Sequence, residues 1–273
     1  MKHISYLFLL LLLIVNLSYK IENLRDIKEK SIEIIYLPKG KILRLLALDH
    51  KNSLADFYFL QFVQYYGHHL QTDLKFPYMY PIVDVITDLD EKFLHAYTFG
   101  SINLASDVGD RKHAELLLFK GMFHNPDRWE YPFWMGFLNY AIFKDYKKAG
   151  IFFKLSTFKK NAPDIAFRFY AFTYYFKLRD LEKALELWTY MYNNAKSEIE
   201  KRIAEDYIKR TIMKIHMRDL TKILKRYIKE KGKKPLSLNE LLKEKYLKEI
   251  PPHPYGGFYY IRDDSVYSKI PKK

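Results

Sequence analysis

The sequence predicts an all-α chain: a solenoid of helical hairpins, preceded by an N-terminal signal anchor and followed by a small C-terminal α/β appendage. Three observations carry this prediction. Asp110, Asp145 and Asp180 recur at a constant interval (145 − 110 = 35; 180 − 145 = 35), each followed four residues on by a small residue, Ala114, Ala149 and Ala184. Aspartate caps a helix N-terminus, and alanine in the first turn leaves room for a neighbouring helix. An aromatic-rich run with helical spacing precedes each Asp, and Asn125-Pro126, Asn161-Ala162-Pro163 and Asn194-Ala195 close each unit. A repeat of this period marks helical hairpins that cannot bury an apolar face alone and must stack. The third observation is an apolar N-terminal run with five consecutive leucines, Leu9–Leu13.

Each element follows in order. In residues 1–19, Lys2 and His3 precede the apolar run Ile4–Val15, the n-region and h-region of an export signal. Asn16, Leu17, Ser18 and Tyr19 offer no small-residue cleavage site, so the reading is an uncleaved anchor, with a removed signal peptide as the alternative. The run is short against the roughly 20 residues of a spanning helix and needs tilt or local thinning. Residues 20–52 read as a linker and a first short helix, and residues 53–195 as helix pairs. Leu54, Phe57, Phe59, Phe62, Val63 and Tyr66 form a stripe ended by Gly67, and Tyr78–Thr87 gives a shorter helix ended by Asp88-Leu89-Asp90. Three clearer pairs follow: Phe93–Ala105 with Lys112–Phe123, Trp129–Phe143 with Tyr146–Lys159, and Ile165–Leu178 with Leu181–Asn193. Residues 196–231 form a long charged capping helix, with a break admitted at Arg218-Asp219. Gly232 and Pro235 then open a module over residues 232–273. There Ser237 and Glu240 make a capping box, Pro254-Tyr255-Gly256-Gly257 a tight turn, and Phe258–Tyr267 two short strands.

Across roughly residues 53–194 the chain resembles the tetratricopeptide repeat (TPR) family, most closely from Phe93 onward. Ala114/Leu118, Ala149/Phe153 and Ala184/Trp188 match the small and large positions of helix B. Tyr146 matches the aromatic after the turn, and Gly136 and Tyr140 match helix-A positions. The period exceeds the family's 34 by about one residue, and the other units lack the helix-A glycine. The resemblance implies a solenoid that binds protein or peptide on the concave face of its A helices. Carried onto this chain, that face includes Phe99, Asn103, Tyr131, Trp134, Phe169, Thr173 and Lys177, with a one-residue ambiguity in the middle unit. The C-terminal segment resembles that of type II secretion pseudopilins, through Pro235, Ser237-Leu238, Glu240-Leu241, Ile250-Pro251 and Pro254 to Gly256. His253 stands where that pattern has aspartate, so the resemblance implies no cation at this turn.

Composition narrows the classes. Hydrophobic residues make up 49% and aromatics 17%, which excludes wholesale disorder and, with 24 Tyr and 20 Phe, requires aromatic packing. Cysteine is absent, so there is no disulfide, thiolate nucleophile or lipidated cysteine. Gln occurs only at 61, 64 and 71, a thermophile-like bias. The net charge is +14, of which +10 lies in residues 196–273 (21 Lys+Arg against 11 Asp+Glu). Such a stretch suits an anionic surface or an acidic partner, or is simply a solvated helix face.

Catalytic constellations are not legible. There is no phosphate-cradling glycine loop, G-x-S-x-G elbow or H-E-x-x-H helix. His68-His69 with Asp73 is the most metal-like group, but adjacent side chains on a helix diverge, and an exposed loop is the preferred reading. Arg128, Trp129, Tyr131, Phe133 and Trp134 could stack bases or sugars, against the plainer reading of core. The sequence therefore points to a non-catalytic scaffold with no cofactor or metal. It would be held at the cytoplasmic membrane by a single pass, with the bulk of the chain outside, and would bind a protein or peptide. A place in a secretion or pilus-like system rests on the pseudopilin resemblance. An enzyme acting on envelope polymers, or a basic binder of nucleic acid or anionic surfaces, are the alternatives; the export signal argues against nucleic acid.

Overall fold

The computed structural model describes residues 14–17 and 37–271, so the proposed anchor lies almost wholly outside the described residues. The chain forms two compact units, divided between Asp90 and Glu91.

The first unit contains α1 (Gly40–Leu46), a single 3-10 turn at Leu48–His50, α2 (Lys51–Gln71) and α3 (Met79–Leu89). The third helix buries Met79, Ile82, Val83, Val85, Ile86 and Leu89 and packs against both others. Gly40 starts α1 hard against α3, where a methyl group would stand 2.5 Å from Asp88 Cβ. The second helix does not stop at Gly67. That residue keeps a helical backbone, and the helix continues through His68 and His69 to Gln71. The histidine pair is therefore on a helix rather than a loop, and His69 is buried, with Nδ1 2.6 Å from Asp73 Oδ1.

The second unit is a chain of helices, each packed on the next: α4 (Leu94–Asn103), α5 (Arg111–His124), α6 (Glu130–Ala141), α7 (Tyr146–Thr157), α8 (Asp164–Phe172), α9 (Leu181–Asn194) and α10 (Glu198–Lys231). The three aspartates cap α5, α7 and α9 with nearly one geometry. Their φ/ψ are −86/79, −86/79 and −84/88, and each carboxylate accepts the N–H three residues on, from His113, Lys148 and Lys183. Immediately before each cap stands a left-handed residue, Gly109 (φ 74), Lys144 (φ 57) and Arg179 (φ 55), which turns the chain between paired helices. The first and third turns are reached through π-helical segments, Leu104–Val108 and Thr173–Leu178. The middle unit lacks one, which is its one-residue irregularity. Ala114, Ala149 and Ala184 have no exposed surface.

The core is aromatic where helices cross. Phe133, Ala149, Phe153, Ala166 and Tyr170 join α6 to α8. Trp188 stacks on Tyr207 at 4.5 Å and 17°, tying α9 to α10. The tenth helix is unbroken through Arg218-Asp219. Arg218 is helical and reaches across to Glu182 on α9, so this charged pair marks a helix contact and not a break.

The second half of α10 supplies the floor for the C-terminal segment. Leu220, Leu224 and Tyr227 form one core with Leu238 and Leu241 of α11 (Leu238–Lys243), Tyr259 of β1 (Phe258–Arg262) and Val266 of β2 (Ser265–Lys269). The strands are an antiparallel hairpin in register Phe258↔Lys269 to Arg262↔Ser265. The capping box takes another form. Ser237 makes no side-chain cap bond, and Glu240 accepts the Leu236 N–H and the Tyr227 hydroxyl, both at 2.8 Å. Glu240 thus serves the start of its own helix through one oxygen and pins α11 onto α10 through the other. At the turn, His253 Nδ1 accepts the N–H groups of Tyr255 and Gly257, each at 3.1 Å, the task a carboxylate would perform.

Candidate binding face

Helices α6 and α8 place a ribbon of rings along one side of the second unit. Trp134 and Phe137 are neighbours on α6 with centroids 5.4 Å apart. Phe137 meets Phe169 of α8 at 6.0 Å, and Phe169 meets Tyr140 at 6.0 Å. All four rings are half-buried, packed beneath against Phe133 and Phe153. The contacts are edge-to-face or tilted, the arrangement that ring quadrupoles favour. At the ribbon's end the exposed Lys177 holds its ammonium 5.2 Å from the centroids of both Tyr140 and Tyr146. Burial, with Tyr146 nearby, raises the Tyr140 hydroxyl above its ordinary pKa.

The residues expected on a concave face divide. Trp134, Phe169 and Lys177 belong to this ribbon. Tyr131 and Thr173 are fully enclosed. Tyr131 packs edge-on to Tyr97 at 5.3 Å, and the Thr173 hydroxyl donates to the Phe169 carbonyl at 2.7 Å. Both are packing residues with no surface for a partner. Phe99 is half-buried and Asn103 is 7% exposed, both on α4. Phe137 was absent from the expected set, although its i, i+3 spacing from Trp134 places both on one helical face. Among the aromatic cluster of residues 128–134, Phe133 and Tyr131 are core, and Arg128 is occupied by Glu130 at 2.7 Å.

A clasp holds two successive caps together on another part of this unit. Arg111 Nη2 donates to Asp145 Oδ2 (3.3 Å) and Asn139 Oδ1 (3.1 Å), and its Nε donates to Glu115 Oε1 (3.0 Å). Lys148 Nζ takes the other Glu115 oxygen at 2.7 Å. The Lys148 N–H and then Arg111 hold the Asp145 carboxyl below the usual aspartate range.

Other candidates are weaker. A cavity of about 360 Å³ lies between the α7–α8 and α9–α10 connections. Its wall mixes Lys159 and Lys196 with Asp164 and Glu200, so no single charge selects a ligand, and Phe167 stacks against Tyr190 within it (5.7 Å, 23°). Cations of the basic last third are engaged internally: Lys209 with Glu205, Arg210 with Asp206, Arg218 with Glu182, Lys231 with Glu244 and Lys234 with Asp264. Among the described residues no group of three or more His, Asp or Glu could hold a metal ion, and no helix is long and apolar enough to cross a membrane. Comparison with protein-family models, curated proteins and solved structures found no match to this chain.

Proposed function

We propose that this chain is a non-catalytic scaffold, tethered to a membrane by its N-terminal apolar run, that holds an extended protein segment on the α6–α8 face of TPR-like helix pairs. The observation that carries the reading is the ring ribbon Trp134–Phe137–Phe169–Tyr140 ending at Lys177. Rings anchored from below present contact area at little cost in side-chain entropy, which is how binding hot spots are built. A segment with apolar or aromatic side chains fits the rings, and a carboxylate at one end fits the Lys177 ammonium. The constant spacing and common geometry of the Asp110, Asp145 and Asp180 caps support the TPR-like reading. The pseudopilin-like tail supports a setting in an envelope secretion or pilus-like system, outside the cytoplasmic membrane.

The test is capture of the co-purifying partner after membrane extraction. Truncating a central Trp removes about 2 kcal/mol or more, against about 1 kcal/mol for a neutral hydrogen bond. Trp134→Ala should therefore weaken capture some tens of fold, well beyond Asn103→Ala, with helicity preserved by circular dichroism. Unchanged capture by a variant lacking Trp134, Phe169 and Lys177 together would eliminate this face.

A further inference from the structure

We propose that the exposed side of α5 and α7 is a lipid-contacting face that rests on an anionic membrane surface, an inference that builds on the membrane attachment proposed above. The two helices repeat one surface pattern: Lys112, Leu116 and Phe123 on α5 correspond to Lys147, Ile151 and Phe158 on or just beyond α7 (147 − 112 = 151 − 116 = 158 − 123 = 35). Phe119 and Leu155 extend the apolar set. Exposure reaches 80% at Phe123, 74% at Phe158 and 64% at Ile151, with Leu116 and Phe119 each at 46%. Phe119 contacts Phe152 ring to ring at 5.8 Å, so the helices are joined across the patch.

Several large exposed side chains on one face of a folded chain mark a contact surface, and their form and charge point to lipid. The phenylalanines are the most exposed rings of the patch, at 80% for Phe123 and 74% for Phe158, and such protruding rings insert readily among acyl chains. Exposed Lys112, Lys147 and Lys154 lie on the same face, and Lys154 Nζ is 5.9 Å from the Phe158 ring. Aliphatic stems let such lysines lie over apolar surface while the ammonium reaches headgroups. Glu115 is turned away from them, held by Arg111 and Lys148. The pattern ends at α9, where the corresponding positions are Glu182, Glu186, Tyr190 and Asn193. Lipid contact is therefore confined to two helices of the row.

Because the chain has no cysteine, an environment-sensitive fluorophore can be placed singly at Phe123→Cys, Phe158→Cys or, as the control on α9, Asn193→Cys in the full chain. The labelled proteins are reconstituted with phosphatidylcholine vesicles with or without phosphatidylglycerol, some carrying spin-labelled lipid. The expected result is quenching at 123 and 158 but not at 193, stronger with phosphatidylglycerol and relieved by high salt. Replacing Lys112, Lys147 and Lys154 by Glu should abolish it, since each basic residue contributes about fivefold to partitioning onto an anionic surface. Chain that floats with vesicles while all three labels stay equally unquenched overturns this inference and leaves attachment standing. Labels shielded from aqueous iodide yet beyond the reach of lipid quenchers identify a protein cover, a second copy or this chain's own N-terminal segment, and overturn it too. Failure to float with vesicles removes the attachment reading and this one together.

Discussion

Gly121 is the surface on which the Tyr131 ring lies: a methyl group there would stand 2.4 Å from Tyr131 Cδ1. The contact is made where α5 delivers the chain to α6, and Gly136 repeats it against Phe153 one crossing later, at 2.7 Å. Glycine in a helix interior ordinarily weakens it, so its presence at these crossings reflects the ring that occupies the missing side chain's place.

Gly121→Ala and Gly136→Ala should each lower stability by about 1–3 kcal/mol through overpacking. Gly67→Ala, on α2 with nothing within 4 Å of the added methyl, should raise it by about 0.5–1 kcal/mol from helix propensity alone. Thermal or denaturant melts give the sign. Equal effects at 67 and 121 would remove the ring contact as the cause.

The repeat turns yield a second pair of opposite signs. Arg179 and Gly109 hold the same left-handed backbone before their caps. Arg179→Gly should gain about 0.5–1 kcal/mol by relieving the side-chain clash, and Gly109→Ala should lose a similar amount. If both substitutions move the midpoint in one direction, the turns are not equivalent.

Ala149 has no exposed surface, and Ala149→Glu would bury an unpaired carboxylate between helices, at a cost of several kcal/mol. Asp145→Ala should cost about 1 kcal/mol for the cap. An Ala149→Glu protein that melts within a degree or two of the parent would sink the repeat assignment.

Acid should loosen the C-terminal hairpin before the rest. Burial holds His253 below the ordinary histidine pKa, and burial likewise lowers His216 against the opposing pull of Asp219. With a depressed native pKa, the unfolded chain takes the proton first as pH falls. Stability is therefore full above about pH 6.5, declines below it, and levels off only beneath the folded-state value. The protonated ring also loses the acceptor that Tyr255 and Gly257 use. Hydrogen exchange should show the Gly257 amide gaining exposure between about pH 7 and pH 5. His253→Asn, whose Oδ1 accepts without titrating, should flatten that response. An unaltered pH profile in the variant would clear His253.

What was legible in the sequence was local and periodic. An Asp that caps and an Ala four residues on form a signal within one turn of helix, so α5, α7 and α9 could be placed closely. Where partners are distant in sequence, the pattern misled. Arg218-Asp219 reads as a charged interruption until Glu182, 36 residues away, is known to receive it. Ser237 and Glu240 have capping-box spacing, but Ser237 makes no cap bond and the Glu240 carboxylate is shared between the Leu236 N–H and the distant Tyr227. Tyr131 and Thr173 read as groove residues from the turn register, and only the packing of Tyr97 on Tyr131 and the complete burial of Thr173 show them to be covered. The ribbon was half legible: Trp134 and Phe169 could be placed by register, and Phe137 could have been added from its i, i+3 spacing to Trp134, but its junction with Phe169 is a contact between helices.

The unbroken α10 carries a consequence for how the protein is made. It spans 34 residues, roughly 50 Å. Its first half packs on helices already synthesised, whereas Leu220, Leu224 and Tyr227 of its second half pack on what comes after it. As the chain leaves the ribosome, Leu220, Leu224 and Tyr227 emerge before their partners and wait first for Leu238 and Leu241, then for Tyr259 and Val266. A product cut short before the hairpin therefore leaves part of this apolar flank uncovered. The hairpin covers this flank only once synthesis has passed it.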